Sequence, residues 1–304
     1  MEHTDKKAAG VLPPEPTPPT APKKKKSQMK DIWRRFRKNR AAMAGLVVMI
    51  ILILAAVFAD LITPEGLDAQ DLNRTFLFPN AKNIMGTDNL GRDMFSRIIY
   101  GARTSLWIGF TVVGIAMTAG VLVGSIAGYY GGKLDNILMR IIDILIAIPG
   151  TLLAIAIASA LGPGLTNTMI AVGIGAVPTF ARITRASILT VRDMEFIEAA
   201  RAIGGNDLRI VARHILPNCM APIMVNATLG LGNAILSAAA LSFIGLGIQP
   251  PTPEWGFMLS VGRRYLRDYW HLTVFPGLAI VIIVMAINMM GDGLRDALDP
   301  KLKK

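Results

Sequence analysis

Blocks of about twenty consecutive apolar residues run through this chain, and they limit its fold more than any other feature. At 1.5 Å rise per residue, a helix of that length crosses a hydrocarbon core of about 30 Å. Six blocks stand out, at roughly 41–62, 104–129, 137–161, 166–189, 222–246 and 272–290. With 52% hydrophobic and only 17% charged residues among 304, the chain reads as an all-α polytopic membrane protein with six transmembrane helices.

Charge gives the expected orientation. The net charge is +11, yet residues 1–40 hold twelve Lys/Arg against four Asp/Glu, so +8 precedes the first block. Beside an apolar segment, and with no nucleic-acid motif in the chain, such a bias marks the cytoplasmic side and not a nucleic-acid partner. Residues 63–103 carry five Lys/Arg and five Asp/Glu, which suits the outer side. Six Lys/Arg between Arg182 and Arg213 and a basic tail return to the inner side, while Arg263, Arg264 and Arg267 depart from the pattern. Both termini are therefore expected in the cytoplasm. The first apolar run follows some forty polar residues and is too long for a signal-peptide core.

Three regions follow from composition. Residues 1–30, with six prolines between Pro13 and Pro22 and then Lys23–Lys26, are expected to be a disordered cytoplasmic tail. Residues 31–103 hold a basic interfacial helix (Lys30 to Arg40, with Ile32, Trp33 and Phe36 toward lipid), the first span and an external loop. In that loop GTDNLGRD is turn-rich, and Asp93 can cap a short helix. Residues 104–304 form a five-helix core. The single cysteine, Cys219, excludes an intramolecular disulfide and reads as a small core residue beside Pro217.

Inside the spans, small residues and punctuators set the geometry. Ala116, Gly120, Gly124 and Gly128 recur every four residues, a face that lets a second helix approach closely. Pro149-Gly150 predicts a kink midway along the third span, and Pro178 a bend in the fourth. Arg140 and Asp143 are i, i+3 neighbours, suited to a structural ion pair or to a place on a transport path. Asn226, Asn233 and Asn288 are polar where lipid would penalise them, so they face either a pore or a neighbouring helix.

One charged island interrupts the apolar blocks, at residues 193–218. Phe196, Ala199, Ala200 and Ile203 give its first helix a small apolar face at i, i+3, i+4, i+7. Asp193 stands where an N-cap belongs, and Gly204-Gly205 ends the helix. Asn206 can cap a second helix with Leu208, Val211, Ala212 and Ile215 on one side, and Pro217 is expected to stop it.

Chemistry of the chain's own is hard to find. There is no GxxxxGK[ST] loop, no HExxH and no CxxC, and His3, His214 and His271 are far apart in sequence. No catalytic or metal-binding residues can be nominated. A proton- or sodium-driven carrier usually needs carboxylates at mid-membrane depth, whereas Asp143 and Asp292 lie near span ends. Energy must come from a partner.

The island suggests which one. Glu198-Ala199-Ala200, then Gly204, then His214-Ile215-Leu216-Pro217 resembles the EAA loop of permease subunits in binding-protein-dependent ATP-binding-cassette importers. That pattern has Ile where this chain has His214, and the His-Ile-Leu-Pro-Asn form is similar to the peptide-transport branch. RFRKNRAAMAGL, GTDNLGRDMFSR, YGARTSL, GGKLDNILMRIIDILIAIP, PPTPEWGFML and NMMGDGLRDALDP likewise resemble the C-type permease of dipeptide/oligopeptide (and nickel) importers, from about Trp33 to Leu302. The Pro-rich tail and its Lys run lie outside this likeness.

The resemblance implies a MetI-like permease fold with a cytoplasmic EAA helix-turn-helix. It implies a homologous B-type permease as partner, two cytosolic ATPases, an external solute-binding protein and a lipid bilayer, with ATP held by the partners and no cofactor in this chain. Glu198, Ala199, Ala200, Gly204, His214, Leu216 and Pro217 would then couple the spans to the ATPases. Asn226, Asn233 and Asn288 are the candidate pore-lining residues. A nickel or other small-solute permease remains an alternative. A stand-alone secondary carrier, or a membrane-anchored regulator, would leave either the island or the spans unexplained.

Overall fold

The computed structural model describes residues 28–66 and 69–298; the expected tail at 1–30 lies almost wholly outside them, as does the basic C-terminus. Among the described residues the regular elements are helices. α1 (Gln28–Phe36) precedes α2 (Arg40–Val57) and the single turn α3 (Ala59–Ile62). α4 (Met94–Tyr130), α5 (Gly132–Ala147), α6 (Gly150–Leu161) and α7 (Leu165–Val191) follow. The island forms α8 (Glu195–Ala202) and α9 (Asp207–Ile210), and α10 (Leu216–Phe243), α11 (Trp255–Gly262) and α12 (His271–Leu298) complete the chain.

α2, α4, α12 and the α9–α10 rod are each long and apolar enough to span a membrane, and α5 with α6 makes a fifth candidate as one bent span. The remaining expected span, the fourth, is α7, which has 27 residues but carries Arg182, Arg185, Asn167 and Pro178, and is less apolar than the others. Its polar character suits its place, because α7 packs along α4 and α10 inside the bundle.

Four expectations change. The third span is not kinked but broken, with 89° between α5 and α6. Ile148, before Pro149, is extended (φ −91°, ψ 125°), as the proline ring demands of its predecessor. The expected short helix after Asp93 merges with the second span into one helix of 37 residues. At about 55 Å this exceeds a bilayer core, so its first turns stand clear at the end remote from the island. Asp143 pairs with Arg182 of α7 at 2.6 Å and not with Arg140. On α1, Phe36 is buried against Ala42 and Gly293 and does not face lipid, whereas Trp33 is half exposed.

The four-residue stripe of α4 does what its spacing suggests, and its partner is α7. A Cβ on Gly120 would collide with Phe180, one on Gly124 with the Ala181 carbonyl, and one on Gly128 would lie 3.0 Å from Ile188 Cβ. Arg182 and Arg185 of α7, with Arg192 just past its end, tie the helix to α5 and α4. Arg185 grips Asp135 of α5 through two bonds of 2.6 Å, Arg182 holds Asp143, and Arg192 donates to the Gly128 carbonyl at 2.9 Å.

At the end remote from the island, the loops lock onto one another. Asp93 caps α4, accepting from the Ser96 amide at 2.7 Å and from Asn83 Nδ2 at 2.9 Å. Asp88 and Arg92 form a buried pair at 2.7 Å. Trp255 Nε1 donates to the Ile98 carbonyl at 3.0 Å, and Gly101 leaves room for that indole. Glu254 caps α11, each carboxylate oxygen accepting a 2.8 Å bond, from the Gly256 and Phe257 amides. Burial pushes its carboxyl above the usual glutamate value, against the lowering effect of those two amides.

Candidate functional site

The island is built on a rigid turn. Met194 stands at the N-cap of α8 and supplies no side-chain hydrogen bond. Asp193, expected there, instead lies 3.3 Å from Arg192 Nε. Glu195 and Glu198 occupy the first turn, where the helix dipole favours anions. The Gly205 amide bonds back to the Ala200 carbonyl (3.0 Å) and the Gly204 amide to Arg201 (2.9 Å). This pair of crossed bonds is a Schellman ending, and it needs a left-handed residue. Gly204 supplies it, with φ +82°. Gly205 matters for space: a Cβ there would stand 2.7 Å from the Ala200 carbonyl.

The side that packs inward differs from the periodic face. Ile197 and Ala200 are buried with Ile210 and Ile215 in the main core, whereas Phe196, Glu198 and Ala199 are exposed. Ile203 is 88% and Leu208 78% exposed, flanking Gly204 on an otherwise charged tip.

Pro217 does not end the second helix. α9 continues through a five-residue π segment, Val211–Ile215, directly into α10, so the rod runs from Asp207 to Phe243 over 37 residues. A proline inside a helix lacks an N–H and crowds the carbonyl four residues back. The wide turn just before Pro217 supplies the slack. His214 lies in that turn, its carbonyl accepting from Asn218 Nδ2 at 2.6 Å, and Leu216 and Pro217 open α10.

Two contacts missed by the sequence reading bind the island to the bundle. Tyr129, near the end of α4, donates its hydroxyl to Asp207 Oδ1 at 2.7 Å, and the Arg201 guanidinium lies over its ring at 5.4 Å. A partial signal is visible in the chain, an aromatic pair just before Gly131-Gly132. Its target lies 78 residues away.

Above the island, α4, α6, α7 and α10 enclose an open cavity of 470 Å³. Asn226, Asn233 and Ser237 of α10, Thr151 of α6 and Thr179 of α7 supply its polar groups, and no charged side chain lines it. Asn288 is elsewhere: its Oδ1 faces Gly232, between α10 and α12. Of the three asparagines, two share the cavity and one packs at a helix crossing. Among the described residues no cluster of His, Cys, Asp or Glu could hold a metal ion. The cavity's polar groups are neutral amides and hydroxyls, able to donate and accept hydrogen bonds to an uncharged or mixed polar solute.

Known proteins share this arrangement. Residues 120–304 match the family described as binding-protein-dependent transport system inner membrane component, and residues 27–80 match the N-terminal TM domain of oligopeptide transport permease C. The dipeptide transport system permease protein DppC of Alkalihalophilus pseudofirmus is 50% identical over 251 residues, 83% of each chain. The di/tripeptide transport system permease protein DppC of Pseudomonas aeruginosa is 47% identical over 259 residues, covering 83% of this chain and 85% of that one. The glutathione transport system permease protein GsiD of Escherichia coli is 47% identical over 255 residues, 83% of each. Among solved structures, a chain of the inward-facing MetNI methionine ABC transporter superposes with a TM-score of 0.55 at 22% identity, over 68% of this chain and 98% of that one. At that identity the likeness speaks for the fold.

Proposed function

The chain belongs to the binding-protein-dependent transport system inner membrane components, and from that membership we infer that it is the permease subunit of an ATP-binding-cassette importer of di- and oligopeptides. It is an integral protein of the inner membrane. The observation that carries the substrate class is the 50% identity to a dipeptide permease over 83% of both chains. In this reading the chain forms half of the translocation pathway, its B-type homologue forms the other half, and an external solute-binding protein delivers the peptide. Both termini and the island lie in the cytosol, in keeping with the basic residues at 28–40 and 182–213.

Two cytosolic ATPases bind and hydrolyse ATP, and the chain contributes no catalytic residue. The island receives their motion. Phe196, Ile203 and Leu208 present apolar surface, Ala199 permits close approach, and Glu198 offers a charge. Burying one such large side chain in a partner is worth about 1.5–3 kcal/mol, so three together can seat α8 firmly. The Schellman turn at Gly204 then fixes its angle to the rod, and the cavity beside Asn226 and Asn233 takes up the resulting movement.

The test is reconstitution. The chain, its partner permease, both ATPases and the binding protein in proteoliposomes should import labelled dipeptide only with ATP inside. Import of nickel in place of peptide would replace the substrate class. Import by this chain alone, driven by an ion gradient, would identify a secondary carrier and end the coupling role.

A further inference from the structure

A second cavity adjoins the first. It measures 800 Å³, lies between the island-side halves of α7 and α10 and the last turns of α12, and shares Asn226 and Leu229 with the 470 Å³ cavity. The two spaces therefore adjoin along α10, and Asn226 and Leu229, about one helical turn apart, stand at their junction, the neck. Leu229 lies against Gly291 of α12, where a Cβ would meet its side chain. The chambers differ in one chemical respect. The first has no charged lining residue, and the second has one, Arg295. Arg295 is exposed and makes no ion pair among the described residues.

We propose that substrate passes the neck at Asn226 and Leu229 into this second chamber, and that Arg295 receives the carboxylate end of the departing peptide there. The inference rests on the peptide reading above. A peptide carries one fixed anionic end whatever its side chains, and a guanidinium pairs with a carboxylate through two parallel bonds. A single exposed cation at the wet end of the path attracts that end without trapping it. Asn226, which both chambers share, can bond the peptide backbone at the neck as donor and acceptor. The Leu229 side chain narrows the neck and packs directly on Gly291, where any larger residue would displace it.

The test uses the full importer in proteoliposomes. Arg295→Gln should slow peptide import about fivefold, the scale of one solvated charge contact, while ATP hydrolysis stimulated by the binding protein stays within about twofold. Arg295→Lys should recover most of the import rate, which a purely structural role would not predict. Wild-type import by Arg295→Gln, or a Lys variant no better than Gln, overturns the role of Arg295. For the neck, Asn226→Cys in a Cys219→Ala background should import after a methyl-sized thiol adduct and stop after a bulky one. Full import with the bulky adduct overturns the route. If the wild-type complex hydrolyses ATP yet imports no peptide, the substrate reading falls and this inference with it. The variants are compared only against a wild type that imports, so the two failures stay distinct.

Discussion

Tyr129 and Asp207 are joined by a 2.7 Å hydrogen bond that ties the end of the 37-residue α4 to the first turn of α9. Through it, the island is held from two directions, by its own continuation into α10 and by the helix that packs along α7. Arg201 over the Tyr129 ring closes the same junction from the α8 side.

Tyr129→Phe keeps the ring and removes the hydroxyl. We expect a loss of about 1.5–3 kcal/mol, the scale of a hydrogen bond to a charged group. Binding-protein-stimulated ATP hydrolysis should fall while unstimulated hydrolysis holds, and Asp207→Asn, which keeps an acceptor, should be milder. Equal stimulation in the Phe variant would remove Tyr129 from the coupling route.

The two glycines of the turn should fail differently. Gly204→Val places a β-branched residue at φ +82°, at a strain of about 1–3 kcal/mol, in otherwise open space. Gly204→Asn should therefore restore most coupling, since asparagine tolerates that conformation. Gly205→Ala meets the Ala200 carbonyl instead, and no side chain relieves it. The measurement is import per ATP hydrolysed across the three variants.

Ile203→Ser and Leu208→Ser should weaken ATPase binding with little effect on the fold, because both side chains are exposed. Each should cost association about tenfold or more, read as the fraction of ATPase retained on the purified permease pair. Phe196→Ser should act in the same direction and less strongly, since Phe196 is 42% exposed.

Much of this fold could be read from the sequence, and the misses share a cause. Apolar blocks, the glycine stripe of α4 and the Gly204 turn are local patterns whose meaning hardly depends on neighbours. Spacing alone can pair Asp143 with Arg140, and Arg182 on another helix outcompetes it. Pro217 reads as a stop by rule, yet a π segment ahead of it carries the helix on, with Ile215 and Cys219 buried on either side. The apolar face of α8 was assigned by periodicity, which cannot say whether the chain itself or a partner covers it. Asn226, Asn233 and Asn288 look alike in sequence, and only packing separates the cavity-lining pair from the third.

Glu254 predicts a pH dependence. Its carboxyl is raised by burial above the ordinary 4.5, so the folded state holds the proton more tightly than the unfolded chain. The stabilisation is complete below about 4.5 and is lost as pH rises through the raised folded value. Thermal midpoints of wild type and Glu254→Gln, measured from pH 4 upward, should converge with rising pH if the Gln variant lacks that slope. The variant should start lower, because its amide nitrogen opposes the Phe257 N–H, at about 1–3 kcal/mol. A constant gap across the range would rule out titration of Glu254.

The unbroken passage from α9 through the π segment into α10 makes the rod a lever. Over its 37 residues, about 55 Å, a tilt of about 5° at one end displaces the other by about 5 Å. Such a displacement is comparable to a helix radius. A hinge at Pro217 would have dissipated that motion within one turn. Without it, Asn226 and Asn233 travel as points on the same arm, each by a distance set only by its height along the rod.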